Sequence, residues 1–295
     1  MIRTPVWSTN VGIELTFLPP RANVSSRVCK AMGKAVKELA EYSQINPDPL
    51  SFLTGQFWNV SCDQGALEIS TPVFKSMEDV KTWYTLLHSV ATEHNYRPHH
   101  KKHCSGGGHI HFDTKDIDET LKMYRDFCNR PYLNWFFNDD SDYFNGCNPW
   151  YTGHTGIHQK ERSWFREIGG NTLEGRILLG KNALIHWLPI NKCYGMKFCG
   201  GTHLEARFFR APEDWPEQQA HIEFMQAWLW WVRQQRAIKT RELKFENRLK
   251  EFSFNTCIRE FRKMLELLEL DWRNYERFVP NFESRWNVYG PDYLT

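Results

Sequence analysis

The chain has 295 residues, with 37 Lys+Arg against 35 Asp+Glu for a formal net charge of +2, and it is 41% hydrophobic and 15% aromatic. This balance excludes a disordered chain, which needs low hydrophobicity and high net charge, and argues against a nucleic-acid binder held mainly by phosphate contacts. No run reaches the roughly 18 apolar residues of a membrane span, and the eight scattered Cys include no C-x-x-C pair, so they read as reduced thiols.

Residues 11–17 alternate with period 2 and predict a strand. Residues 23–42 place Val24, Val28, Met32, Ala35 and Leu39 on one helical stripe. A second strand is predicted at 66–70. A helix follows over 76–94, opened by Ser76 with Glu78 and Asp79 in its first turn. Gly106-Gly107-Gly108 reads as a flexible turn into a third strand at 108–113, and Asp116 with Glu119 forms a capping box for the next helix. The fourth strand is predicted at 203–209. Asp214-Trp215-Pro216-Glu217 then supplies a cap, an early Pro and an acid for a helix running to about residue 238, and a further helix covers 254–270. Trp228 and Trp231 are at helical spacing and are expected to pack the core rather than to form a stacking platform.

These strands alternate polar and apolar instead of running as Val/Ile blocks, which favours an antiparallel sheet over a parallel one. The expected fold class is α+β: a curved, mainly antiparallel sheet with helices on its apolar face and a single domain over 1–295. The part from about 213 to 295 is expected to be mostly helical. The opening Met1-Ile2-Arg3-Thr4-Pro5 lacks the apolar core of a secretory signal, so a cytoplasmic location is expected, the host cytoplasm if the gene is viral.

Side chains at i and i+2 of a strand share a face. One face therefore carries Gly12, Glu14 and Thr16; Ala66, Glu68 and Ser70; His109 and His111; and His203, Glu205 and Arg207. If the four strands are neighbours, three carboxylates and an imidazole converge. Acids that close repel one another, and a divalent cation is their natural counter-charge. Arg207, two residues from Glu205, adds a group suited to phosphate. The combination fits a metal–nucleotide site.

At these residues the sequence resembles the glutamine-synthetase-like and glutamate–cysteine-ligase-like carboxylate–amine ligases, in particular the amidoligases of bacteria and phages. The family's opening G-x-E-x-E-F is similar to Gly12-Ile13-Glu14-Leu15-Thr16-Phe17. Its Asp turn followed by Glu-hydrophobic-Ser-x-Pro is similar to Asp63 through Pro72, with Glu68-Ile69-Ser70-Thr71-Pro72. Its C-G-x-H-V-H resembles Gly107-Gly108-His109-Ile110-His111, and its T-x-E-F-R resembles Thr202-His203-Leu204-Glu205-Ala206-Arg207. The four motifs occur in family order, while the last 80 or so residues match no pattern.

The resemblance implies an ATP-dependent enzyme with Mg²⁺ or Mn²⁺ that joins a small-molecule or peptide carboxylate to an amine through an acyl phosphate, without membrane or nucleic-acid partners. It implies Glu14, Glu68, His111 and Glu205 as metal ligands, and Arg207, Glu205 and His109 as catalytic. Arg207 is its candidate for ATP contact; Arg176, in a Gly-rich stretch that reads as a closing loop, and Lys197, a few residues before the last motif, are further candidates read from the residues themselves. Thr16 replaces the motif's second acid and removes one expected ligand, which its hydroxyl would replace only weakly.

Two alternatives follow from the same residues. His99, His100, His103, His109 and His111, with His154 and His158, would suit a zinc-dependent hydrolase using Glu14 or Glu205 as base. A non-catalytic binding or assembly protein that keeps the sheet is favoured by Thr16. Cys104 and Cys199 border the motifs and read as bystanders.

Overall fold

A computed structural model describes residues 7–18, 59–63, 66–71, 73–93, 95–98, 107–128, 130, 132–137, 196–200, 202–236 and 253–289. Its strands are β1 (Val11–Leu18), β2 (Asn59–Asp63), β3 (Ala66–Ser70), β4 (Arg97–Pro98), β5 (Gly108–Asp113), β6 (Met196–Gly200) and β7 (His203–Ala206). Its α-helices are α1 (Met77–Glu93), α2 (Ile117–Cys128), α3 (Leu133–Phe137), α4 (Trp215–Gln234), α5 (Phe254–Leu267) and α6 (Val279–Tyr289). The predicted helix at 23–42 lies outside the described residues. From residue 215 every described element is helical, including two short 3₁₀ turns at Trp272–Asn274 and Glu276–Phe278.

The strands form one sheet in the order β2-β3-β1-β5-β7-β6, with β4 pairing β1, and every pairing is antiparallel. The architecture is thus α+β. Two local hairpins, β2–β3 and β6–β7, flank the long-range β1–β5 pair at the centre. That central pair sets the register on which the site depends: Gly12 stands opposite His111, Glu14 opposite His109, and His111 in turn opposite Glu205.

The alternation read in the sequence decides which face is buried. Ile13, Leu15 and Phe17 of β1, Leu67 and Ile69 of β3, Ile110 and Phe112 of β5 and Leu204 of β7 all enter the core. Val80, Trp83 and Leu87 of α1, Phe127 of α2, and Phe224 and Trp228 of α4 belong to the same core. Trp228 is fully buried, and its indole Nε1 donates to Asp126 Oδ2 at 2.6 Å, so the ring is held at both its apolar body and its polar tip. A second aromatic layer joins α3 to the C-terminal helices: Phe136 stacks between Phe261 and Phe282, with centroids at 4.1 and 4.4 Å.

Helix α4 starts where its cap sequence says it should. Asp214 accepts from Glu217 N at 2.9 Å, and Pro216 occupies the first turn. The buried Glu217 also receives a two-pronged contact from Arg210, at 2.5 and 3.1 Å. That contact fastens the segment leaving β7. With Phe208 and Phe209 buried beside it, the backbone carrying Arg207 is fixed from below. Among the described residues no helix is long and apolar enough to cross a membrane.

Gly107 and Gly108 are not a loose turn. Both are buried, and Gly108 N donates to Phe209 O at 3.0 Å. A Cβ on Gly108 would meet Arg210 O at 2.4 Å, and one on Gly107 would meet Phe209 O at 2.8 Å. The glycines let two backbones approach more closely than any side chain permits. Gly108→Ala is therefore expected to cost about 1–3 kcal/mol, the usual penalty of overpacking. A urea midpoint unchanged from that of the parent would contradict this.

Candidate active site

The polar face of the central strands gathers its groups through the register alone, because directly opposed residues of an antiparallel pair share a face. At the centre lies His109. Its Nδ1 stands 2.9 Å from Glu14 Oε2 and 3.2 Å from Glu205 Oε1. Arg207 Nη1 makes a hydrogen-bonded ion pair with the same Glu205 oxygen. His111, one step along β5, places Nε2 3.2 Å from Glu14 Oε1, off the line of a hydrogen bond. Its Nδ1 is 3.0 Å from His203 Nε2, and His203 Nδ1 donates to Asp113 Oδ1 at 3.0 Å. Cys199 Sγ donates to Glu205 Oε2 at 3.6 Å.

Burial and charge oppose each other here, and charge wins. Burial disfavours the ionised form of Glu14, yet the His109 hydrogen bond and the positive charge of the neighbouring imidazoles hold its carboxyl well below the usual carboxylate range. Glu205 behaves alike, through His109, Arg207 and His111. Burial and the Arg207 charge both push His109 towards neutrality. Its hydrogen bonds to Glu14 and Glu205 overcome them, and its pKa rises. The acids are therefore less exposed to mutual repulsion than the sequence suggested: His109 and Arg207 already offset much of their charge.

Three potential ligands for a divalent cation nevertheless converge. One carboxylate oxygen of Glu14, one of Glu205 and a ring nitrogen of His111 all lie within 4.8 Å of one another. His111 Nε2 is buried and has no hydrogen-bond partner among the described residues. Two carboxylates and an imidazole are donors for a divalent cation. The donor set fits.

Of the other residues singled out in the sequence, Glu68 lies on the same face opposite Thr16, outside that group of three. Lys197 stands opposite Glu205 in the β6–β7 register. Arg176, Cys104 and the histidines at 99, 100, 103, 154 and 158 lie outside the described residues. Thr16 departs from the expectation of a weak ligand. It is 1% exposed, and its hydroxyl donates to Gly107 O at 3.1 Å, so it fastens the glycine segment to β1. Two neighbours of the site escaped the sequence reading. Asp113 continues the His109, His111 alternation on the same face of β5, a signal that was present. Cys199, read as a bystander, is turned towards Glu205 at an irregularity in the β6–β7 register between Phe198 and Gly200, which no local pattern announces.

No family model matches the chain, and no curated protein matches it. Among solved structures the chain is similar to one described as apo GmaS without ligand, at 11% identity and a TM-score of 0.43, over 96% of this chain and 70% of that one. It is also similar to a novel glutamine synthase homolog, at 11% identity and a TM-score of 0.44, over 97% of this chain and 69% of that one.

Proposed function

We propose that the chain is an ATP-dependent carboxylate–amine ligase of the glutamine-synthetase-like class. In this reaction a carboxylate oxygen takes the γ-phosphoryl group of ATP and releases ADP. An amine then attacks the acyl phosphate, expelling phosphate and a proton and leaving an amide. The single observation that supports this reading best is the group of Glu14, His111 and Glu205 beside the Arg207 guanidinium, on residues that carry three of the four motifs.

Glu14, His111 and Glu205 would hold the divalent cation, which supplies charge neutralisation of the triphosphate when bound. Arg207 is held by Glu205 and by the anchored segment behind it, so its guanidinium would meet the transferring phosphoryl group without reorganising first. His109 bridges both acids and keeps their carboxylates in register. Lys197 and Arg176 are the further candidates for nucleotide contact. The carboxylate and amine are small molecules or peptides, and neither a membrane nor a nucleic acid is a partner.

The test is ADP release across a panel of carboxylates and amines. Release is expected only when both are present. Glu14→Gln and Arg207→Ala are each expected to lower it at least about 10²-fold, as loss of one preorganised charge-stabilising group does, with circular dichroism unchanged. Full activity in both variants would remove these residues from the reaction.

A further inference from the structure

Beside the hard-donor group lies a second one of different chemistry. His111, Cys199 and His203 also offer ligand atoms that all lie within 4.8 Å of one another. Asp113 accepts from His203 Nδ1, which leaves the His203 lone pair on Nε2. That lone pair faces His111 Nδ1 at 3.0 Å.

A neutral His111 cannot satisfy both of its sides. With its proton on Nδ1 it donates to His203, but its Nε2 lone pair then confronts Glu14 Oε1. With its proton on Nε2 it favours Glu14, but two lone pairs then oppose each other across 3.0 Å. A cation between the rings resolves the second arrangement. Zinc–nitrogen bonds of about 2.0–2.1 Å at a tetrahedral angle need the nitrogens roughly 3.3 Å apart, a few tenths of an ångström more than they are. Two imidazoles and a thiolate are the donors that a borderline-soft ion prefers over Mg²⁺.

We propose that His111, Cys199 and His203 form a site for a borderline-soft divalent cation, zinc above all, with Asp113 orienting His203. Loading releases the Cys199 thiol proton, and the metal–sulfur bond takes its place. The Glu14, His111 and Glu205 group needs the other nitrogen of the same ring, so a neutral His111 serves one cation at a time. That last consequence rests on the reading of Glu14, His111 and Glu205 as a cation site; the site at His203 does not.

Cobalt(II) is the probe, because a cobalt–thiolate bond gives a near-ultraviolet charge-transfer band. The chelator-treated full chain is expected to bind one Co²⁺ with that band, and zinc is expected to displace it. Cys199→Ser should lose the band, and His203→Gln should weaken Co²⁺ binding at least about 10-fold. Glu14→Gln should keep the band. Absence of the band in the parent chain, or its survival in Cys199→Ser, overturns the site. Loss of the band in Glu14→Gln as well as in Cys199→Ser would mean one composite site and also overturns it. None of these readings needs turnover, so an inactive ligase leaves the site standing.

Discussion

Glu205→Gln is expected to cost about 3–5 kcal/mol of folding stability, the range found when one partner of a buried ion pair is removed. It is also expected to impair turnover more than Glu14→Gln does. The reason is burial. The Glu205 side chain is 2% exposed against 22% for Glu14, and it is the shared acceptor of Arg207, His109 and Cys199. Neutralising it removes the carboxylate that Arg207 donates to and leaves Glu14 as the remaining carboxylate beside His109. Glu14 keeps water on one side and is partly screened, so its loss is milder.

Adding Arg207→Gln to Glu205→Gln should recover part of the stability, because both members of the buried ion pair are then neutral. Turnover should not recover, because the ligand and the guanidinium are both gone. Thermal unfolding of the two single variants and the double variant gives the coupling energy directly. A Glu205→Gln midpoint close to that of the parent would mean that the ion cluster contributes nothing to the fold.

The central face of this sheet was legible because its chemistry repeats at period 2. Strands β1, β3 and β5 lie where the alternation puts them, while β7 ends at Ala206, short of the predicted 209, and leaves Arg207 on the segment that follows it. The caps of α1, α2 and α4 were legible for the same local reason, since Ser76, Asp116 and Asp214 each accept from the backbone N–H three residues on. Other features have no local cause. Strands β2, with Asn59, Ser61 and Asp63, and β6, with Lys197 and Gly200, are polar enough to read as loop, and they become strands by pairing with β3 and β7. The β1–β5 pairing joins residues about 95 positions apart and is fixed by packing of their buried faces.

The site divides in the same way. Glu14, His109, His111, Glu205 and Arg207 were chosen for their residue types, and the register explains why they meet. The sequence could not give the balance of charge among them. Composition counts acids and bases, but only geometry reveals that His109 lies within reach of two carboxylates. Gly107, Gly108 and Thr16 show the complementary failure. Each was read for its own chemistry, as flexible turn or weak ligand, whereas each is fixed by a backbone group that the sequence places far away.

The chelator-treated protein is expected to be most stable near pH 6.5 and to lose stability on both sides. Glu14 and Glu205 have folded-state pKa values below the ordinary 4.5, so their contribution is complete above that pH and lost as pH falls beneath it. Buried His221, packed against Phe209 at 4.6 Å, is shifted the other way from His109: burial and the charges of Arg210 and Arg277 hold it neutral well below 6.5. The unfolded chain therefore takes up that proton first, and stability declines as pH falls below 6.5. His109 governs the alkaline side. Its folded-state value lies above 6.5, so its contribution is complete below 6.5 and lost as pH rises through the elevated value.

Each group acting alone gives a slope of at most about 1.4 kcal/mol per pH unit. His221→Phe should flatten the acid limb above pH 4.5, and His109→Gln should flatten the alkaline limb. Saturating Mg²⁺ should also flatten the alkaline limb, because a cation held by Glu14 and Glu205 takes over the charge compensation that the His109 proton otherwise supplies. An alkaline limb that survives in His109→Gln would place the titrating group elsewhere. One that His109→Gln removes but saturating Mg²⁺ leaves intact would mean that the ion leaves the two acids unbridged.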